Sequence, residues 1–90
     1  MYKISYTKRA EKDLAALKRH EPQSFKKVVK LIDELVEHPT TGTGKPEPLS
    51  GNRTGQWSRR ISAKHRLIYM IDSEKVVVLL LSAYGHYDDK

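Results

Sequence analysis

The chain has 90 residues, with 17 Lys/Arg against 11 Asp/Glu, a formal net charge of +6 and no cysteine. That length closes one small core, so a single domain over residues 1–90 is expected, and the lack of cysteine excludes disulfides, a thiolate nucleophile and a Cys-based zinc site. The only long apolar run, VVVLLL, is too short to span a bilayer, and the N-terminus, MYKISYTKRAEK, has no secretory signal, which predicts a cytoplasmic protein with no membrane partner.

Residues 2–6 predict a short strand from their β-branched and aromatic content. Thr7 is placed to cap a helix in which Ala10, Leu14 and Leu17 line one face. A second helix begins at Pro22, carries an apolar stripe of Phe25, Val28, Val29, Ile32, Leu35 and Val36, and is ended by Pro39. Residues 40–52, rich in Gly, Pro and Thr, read as a loop with a turn around Ser50, Gly51 and Asn52. Three strands follow over residues 56–62, 64–71 and 75–83, the last two joined by a tight turn near Asp72 and Ser73. The final strand is apolar on both faces, which suits an interior position. The expected fold is α+β, in the order β-α-α-β-β-β, with two helices on one face of a largely antiparallel four-stranded sheet.

The charge is unevenly placed. Residues 45–66 hold six Lys/Arg and a single acid, Glu47, whereas residues 1–40 hold nine basic and six acidic side chains. Arginine dominates the excess, and its planar fork matches phosphate geometry better than an ammonium does. A polyanion is the partner that this field attracts, although a solvated basic surface has the same composition. The basic residues of the first helix (Lys8, Arg9, Lys12, Lys18 and Arg19) have both readings too.

Breaking an RNA phosphodiester through its own 2′-hydroxyl needs a base, an acid and cations for the charge developing on phosphorus. Glu47 suits the base, since a glutamate is ionised at neutral pH. His86 suits the acid, because an imidazole is partly protonated there. Arg66 suits the electrostatic role. His65 competes with His86, but it shares strand parity with Leu67, Tyr69 and Ile71 while Arg66 points the other way, so His65 reads as structural. Arg59 and Arg60 are neighbours on one strand and face opposite sides. Both are candidate RNA contacts, and parity favours Arg60, which lies with Ser58 and Ser62 rather than with Trp57 and Ile61. Lys45 is an auxiliary phosphate contact, and Tyr87 can stack on a base or cap the sheet. His20 and His38, at helix ends, are assigned no chemistry. The histidines lack metal-ligand spacing, so neither metal nor cofactor is expected.

GTGKPEPL, QWSRRI, KHRLIY and the terminal GHY, in this order and spacing, resemble the YoeB branch of the RelE superfamily, the mRNA-cleaving toxins of bacterial toxin–antitoxin pairs. The resemblance runs over nearly the whole chain. It implies a metal-independent endoribonuclease acting on mRNA in the ribosome, yielding a 2′,3′-cyclic phosphate and a 5′-hydroxyl, with Glu47, Arg66 and His86 in the roles above. It also implies a cognate antitoxin with an acidic, partly disordered segment, and it is compatible with a homodimer. Family members commonly stop at the His-Tyr pair, whereas this chain continues with Asp88, Asp89 and Lys90, which sets two carboxylates near His86. Two other readings stay open: a non-catalytic RNA-binding module, and a toxin of this fold that inhibits a protein target. Glu47 argues against the first, because a polyanion binder gains nothing from a carboxylate in its groove.

Overall fold

A computed structural model describes residues 1–83 of the chain. Its elements are β1 (Lys3–Tyr6), α1 (Lys8–His20), α2 (Pro22–Leu35), β2 (Glu47–Pro48), a 3-10 turn (Gly51–Arg53), β3 (Gln56–Arg60), β4 (His65–Asp72) and β5 (Lys75–Ala83). The strands form one sheet in the order β1-β5-β4-β3-β2. β1 runs parallel to β5, and every other neighbouring pair is antiparallel. The α+β architecture with a largely antiparallel sheet is as expected, and so is the interior place of β5. The sheet has five strands rather than four: Glu47 and Pro48 leave the expected loop to pair with Ser58 and Trp57 as a two-residue edge strand.

Both helices begin where their end signals lie. The Thr7 side chain accepts from the Ala10 amide at 3.0 Å, capping α1, and Pro22 opens α2, where its missing N–H costs nothing. From α1, Ala10 and Leu17 are buried against the sheet, with Leu14 packed beside them. α2 buries Val28, Leu31 and Leu35, while Val29 is 45% exposed, so the inward stripe is rotated from the expected one. A face broad in apolar residues leaves its innermost line to be chosen by packing. α2 stops at Leu35, and the chain then turns through Val36 and Glu37 before Pro39, which has no N–H with which to continue the helix.

The core lies between the helices and one sheet face, where Leu67, Tyr69, Val76, Val78 and Leu81 meet the helical residues. Each such side chain, fully buried, contributes about 1.5–3 kcal/mol. β5 keeps Val76, Val78 and Leu81 together on this face although their numbers change parity, because a bulge interrupts its pairing with β4: Ile68 faces Leu80, and Tyr69 faces Val78. The Leu79 carbonyl freed there accepts the Thr7 hydroxyl at 2.6 Å, and the Leu81 amide donates to Asp13 at 3.0 Å. α1 thus closes the stretch of β5 that extends past its pairing with β1.

Candidate active site

Most of the candidate site residues lie on the opposite sheet face. Glu47 on β2 lies directly across from Ser58 on β3, and Arg60 on β3 lies directly across from Arg66 on β4. Ser58 and Arg60 are two residues apart, so all four side chains share one face. With Lys45 they line a concavity of about 320 Å³. β2 and β4 are separated by two strand spacings, roughly 10 Å, a gap that one phosphodiester linkage can span. An adjoining hollow of about 380 Å³ shares Lys45 and Arg60 and adds Lys27 from α2.

Among the described residues, Lys45, Glu47, Arg60 and Arg66 take part in no ion pair. Like charges directly opposite each other weaken a sheet, so the pairing of Arg60 with Arg66 is unfavourable until an anion lies between them. Two buried polar atoms in this hollow, Ser58 Oγ and Arg66 Nε, have no hydrogen-bond partner. Lys45 sits in the left-handed region at φ 51°, a conformation that costs a non-glycine residue energy and that gathers at functional sites. A lone carboxylate that accepts a proton, beside guanidinium forks that hold phosphoryl oxygens, is suited to acid–base work on a phosphodiester.

The loop that presents Lys45 and Glu47 is fastened from below. Arg59, on the core side of β3, is fully buried. Its guanidinium donates to Glu34 Oε1 at 2.9 Å, to the carbonyls of Thr41 at 2.5 Å and Thr43 at 3.3 Å, to the His38 carbonyl, and from Nε to the Tyr69 hydroxyl at 3.3 Å. Glu34 also accepts from the Thr43 amide and hydroxyl, at 2.9 and 2.6 Å. Arg59 is therefore a structural staple, and its expected place among the RNA contacts is corrected: parity put it on the core face, and burial with five acceptors leaves it nothing to offer a substrate. Above the staple, the Gly44 carbonyl accepts the Arg60 amide at 2.7 Å. Gly44 has φ 85°, and a Cβ there would come within 2.8 Å of the Arg60 carbonyl, so only glycine allows this approach.

The sequence motifs and this geometry agree with a match of the family described as "YoeB-like toxin of bacterial type II toxin-antitoxin system", which covers residues 6–87. The chain belongs to the YoeB-like toxins. Toxin YoeB of Synechocystis sp. is 36% identical over 85 residues, 94% of this chain and 96% of that protein. A YoeB/ParE toxin from Agrobacterium tumefaciens superposes with a TM-score of 0.83 at 32% identity, over 90% of this chain and 96% of the other. The YoeB of Staphylococcus aureus, 29% identical, is known as a dimer and in a YoeB-YefM complex. The TM-scores are 0.80 and 0.81, over 90% and 91% of this chain and 94% and 95% of the others.

Of the site residues expected for a YoeB-like toxin, Lys45, Glu47, Arg60 and Arg66 are brought together. His86 and Tyr87 lie outside the described residues, as do Asp88, Asp89 and Lys90. Ser58 and Lys27 were not anticipated. Ser58 had a signal, since it shares its parity with Arg60, whereas Lys27 is one cation among several on a helix and had none. His65 is on the helix side, and its ring N–H donates to Glu21 at 2.9 Å, with Lys64 3.6 Å from the same carboxylate oxygen. A second cleft, of about 240 Å³, lies beside that contact and is lined by Leu17, His20, Glu21, His65 and Leu81. It is mainly apolar and holds none of the free cations of the first. No helix among the described residues is long and apolar enough to cross a membrane.

Two of the carboxylates that hold the scaffold together titrate low. Hydrogen bonds from the Thr43 hydroxyl and amide, helped by Arg59, hold Glu34 below the usual carboxylate range, and the hydrogen bond from His65, helped by its charge and that of Lys64, does so for Glu21. A group whose folded value is depressed stabilises the fold above its unfolded value, about 4.3 for Glu, and loses that contribution as pH falls through the folded value. Acid unfolding should therefore begin below pH about 4.3. Urea melts across pH 2–7 are expected to show a shallower acid decline for Glu34→Gln than for the native chain, and an equal decline would remove Glu34 from the account.

Proposed function

We propose that this YoeB-like toxin is a metal-independent endoribonuclease that cuts messenger RNA in the ribosomal decoding site. The observation that carries the reading is one carboxylate facing a cross-strand pair of arginines in a single hollow, without internal ion pairs among the described residues. Glu47 accepts the proton of the 2′-hydroxyl, and the 2′-oxygen bonds to phosphorus as the bond to the 5′-oxygen breaks. His86 supplies the proton that the departing 5′-oxygen takes up. The products are a 2′,3′-cyclic phosphate and a 5′-hydroxyl. Arg66 and Arg60 hold the non-bridging oxygens as charge builds, Lys45 and Lys27 guide the flanking backbone, and Tyr87 stacks on a base. The toxin acts in the cytoplasm, where ribosomes are. A cognate antitoxin neutralises it, a reading supported by the YoeB-YefM complex of the Staphylococcus aureus relative, and an acidic segment of that antitoxin would complement the same cations.

Ribosomes programmed with a defined message test this directly. The expected result is one discrete cut in the decoding site, with no cut of the same message free in solution. A single 2′-deoxy nucleotide 5′ to the scissile phosphate should stop the reaction while the toxin still binds. If the deoxy-substituted message is cut, water is the nucleophile and Glu47 has another role. If no message is cut but RNA is bound, the non-catalytic reading takes over.

A further inference from the structure

Ser58 is 1% exposed, yet its hydroxyl has no partner. Buried hydroxyls are nearly always hydrogen-bonded, because an unmade bond leaves the full cost of desolvation in place. The position is also specific. Ser58 is directly across from Glu47, and it is the diagonal neighbour of Arg66, whose own Nε is buried without a partner in the same hollow. Two unused donors beneath a ring of cations form a polar floor that awaits an acceptor.

We propose that Ser58 is a substrate-contact residue whose hydroxyl, together with Arg66 Nε, donates to a non-bridging oxygen of the reacting phosphodiester. The assignment rests on the ribonuclease reading for its place in the reaction, but the contact itself needs only a phosphodiester in the hollow. Two donors on one oxygen fix the phosphate's height above the sheet. Glu47, directly across the strand pair from Ser58, is thereby presented with the 2′-hydroxyl rather than with the phosphate. The rim cations Lys45 and Arg60 attract RNA from a distance, whereas the buried hydroxyl acts only at contact, and because it carries no charge it leaves the salt dependence of binding unchanged.

Three versions of the toxin decide it: native, Ser58→Ala and Ser58→Thr. The Ala variant loses only an unpaired hydroxyl, so its Tm should equal or exceed the native value. Its affinity for a short RNA made uncleavable by a 2′-deoxy substitution should fall about tenfold, the weight of one hydrogen bond to a charged group, with the salt slope unchanged. Thr, which keeps the hydroxyl and suits a strand, should restore the affinity. On programmed ribosomes the Ala variant should cut at least tenfold more slowly, and Thr should recover the rate. Native affinity in the Ala variant, or a lower Tm with no loss of affinity, overturns the assignment and makes the hydroxyl structural. If the native toxin cuts no message yet the Ala variant still binds the RNA more weakly, the ribonuclease reading falls and the phosphodiester contact stands.

Discussion

Glu47→Gln should leave the toxin folded and reduce cleavage of ribosome-bound message by about a hundredfold to ten-thousandfold, the usual contribution of a positioned general base. The side chain is exposed on a two-residue edge strand and makes no ion pair among the described residues, so the amide replaces it at a stability cost within about 0.5 kcal/mol. Removing the one negative charge from a field of cations should also tighten RNA binding at low salt. Tighter binding with lost cutting is a combination that a damaged fold does not produce. Single-turnover cleavage and a binding titration on the same preparation read both quantities, and a variant that cuts at the native rate removes Glu47 from the mechanism.

Arg59→Met should cost about 3–5 kcal/mol, because a buried partner is removed from an ion pair and four further acceptors lose their donor. For a chain of this size the thermal midpoint should fall by more than about 10 °C. Lysine should not rescue it, since one ammonium cannot reproduce a fork that reaches three backbone carbonyls, a carboxylate and a phenol. The neighbouring change, Arg60→Met, is expected to do the reverse. Arg60 is exposed and forms no ion pair among the described residues, so stability should hold while RNA affinity drops and the salt slope shrinks by about 1. An Arg59→Met toxin that unfolds at the native midpoint would show that the staple is idle.

Those two adjacent arginines mark where the sequence was legible and where it was not. The helices could be read because Thr7 and Pro22 signal their starts and the apolar spacing has a helical period. Lys45, Glu47, Arg60 and Arg66 could be read because a lone acid among cations stands out whatever the fold. Strand alternation placed Arg59 beside Trp57 and Ile61, but its main partner, Glu34, is 25 residues earlier, and no local pattern links them. β2 is too short to show a period, and its second residue is a proline. The bulge in β5 falls in VVVLLL, a run of six apolar residues in which one extra residue leaves no trace of altered alternation. Strand parity set Ser58 on the face of Arg60 but assigned it no role, since burial without a partner is a property of the assembled sheet.

The parallel pairing of β1 with β5 places the first strand beside one made some 70 residues later. During synthesis, the hairpin of α1 and α2 is therefore complete long before it has a sheet to pack against. Ala10, Leu17, Val28, Leu31 and Leu35 then have only each other to cover them, and Asp13 and Thr7 wait for the backbone groups that they will close. Forming the scaffold must await residues 75–83, and contacts so distant along the chain slow the search for the native state. A nascent chain interrupted before Lys75 carries Lys45, Glu47, Arg60 and Arg66 but lacks the strand between β1 and β4 against which the sheet bearing their hollow is held.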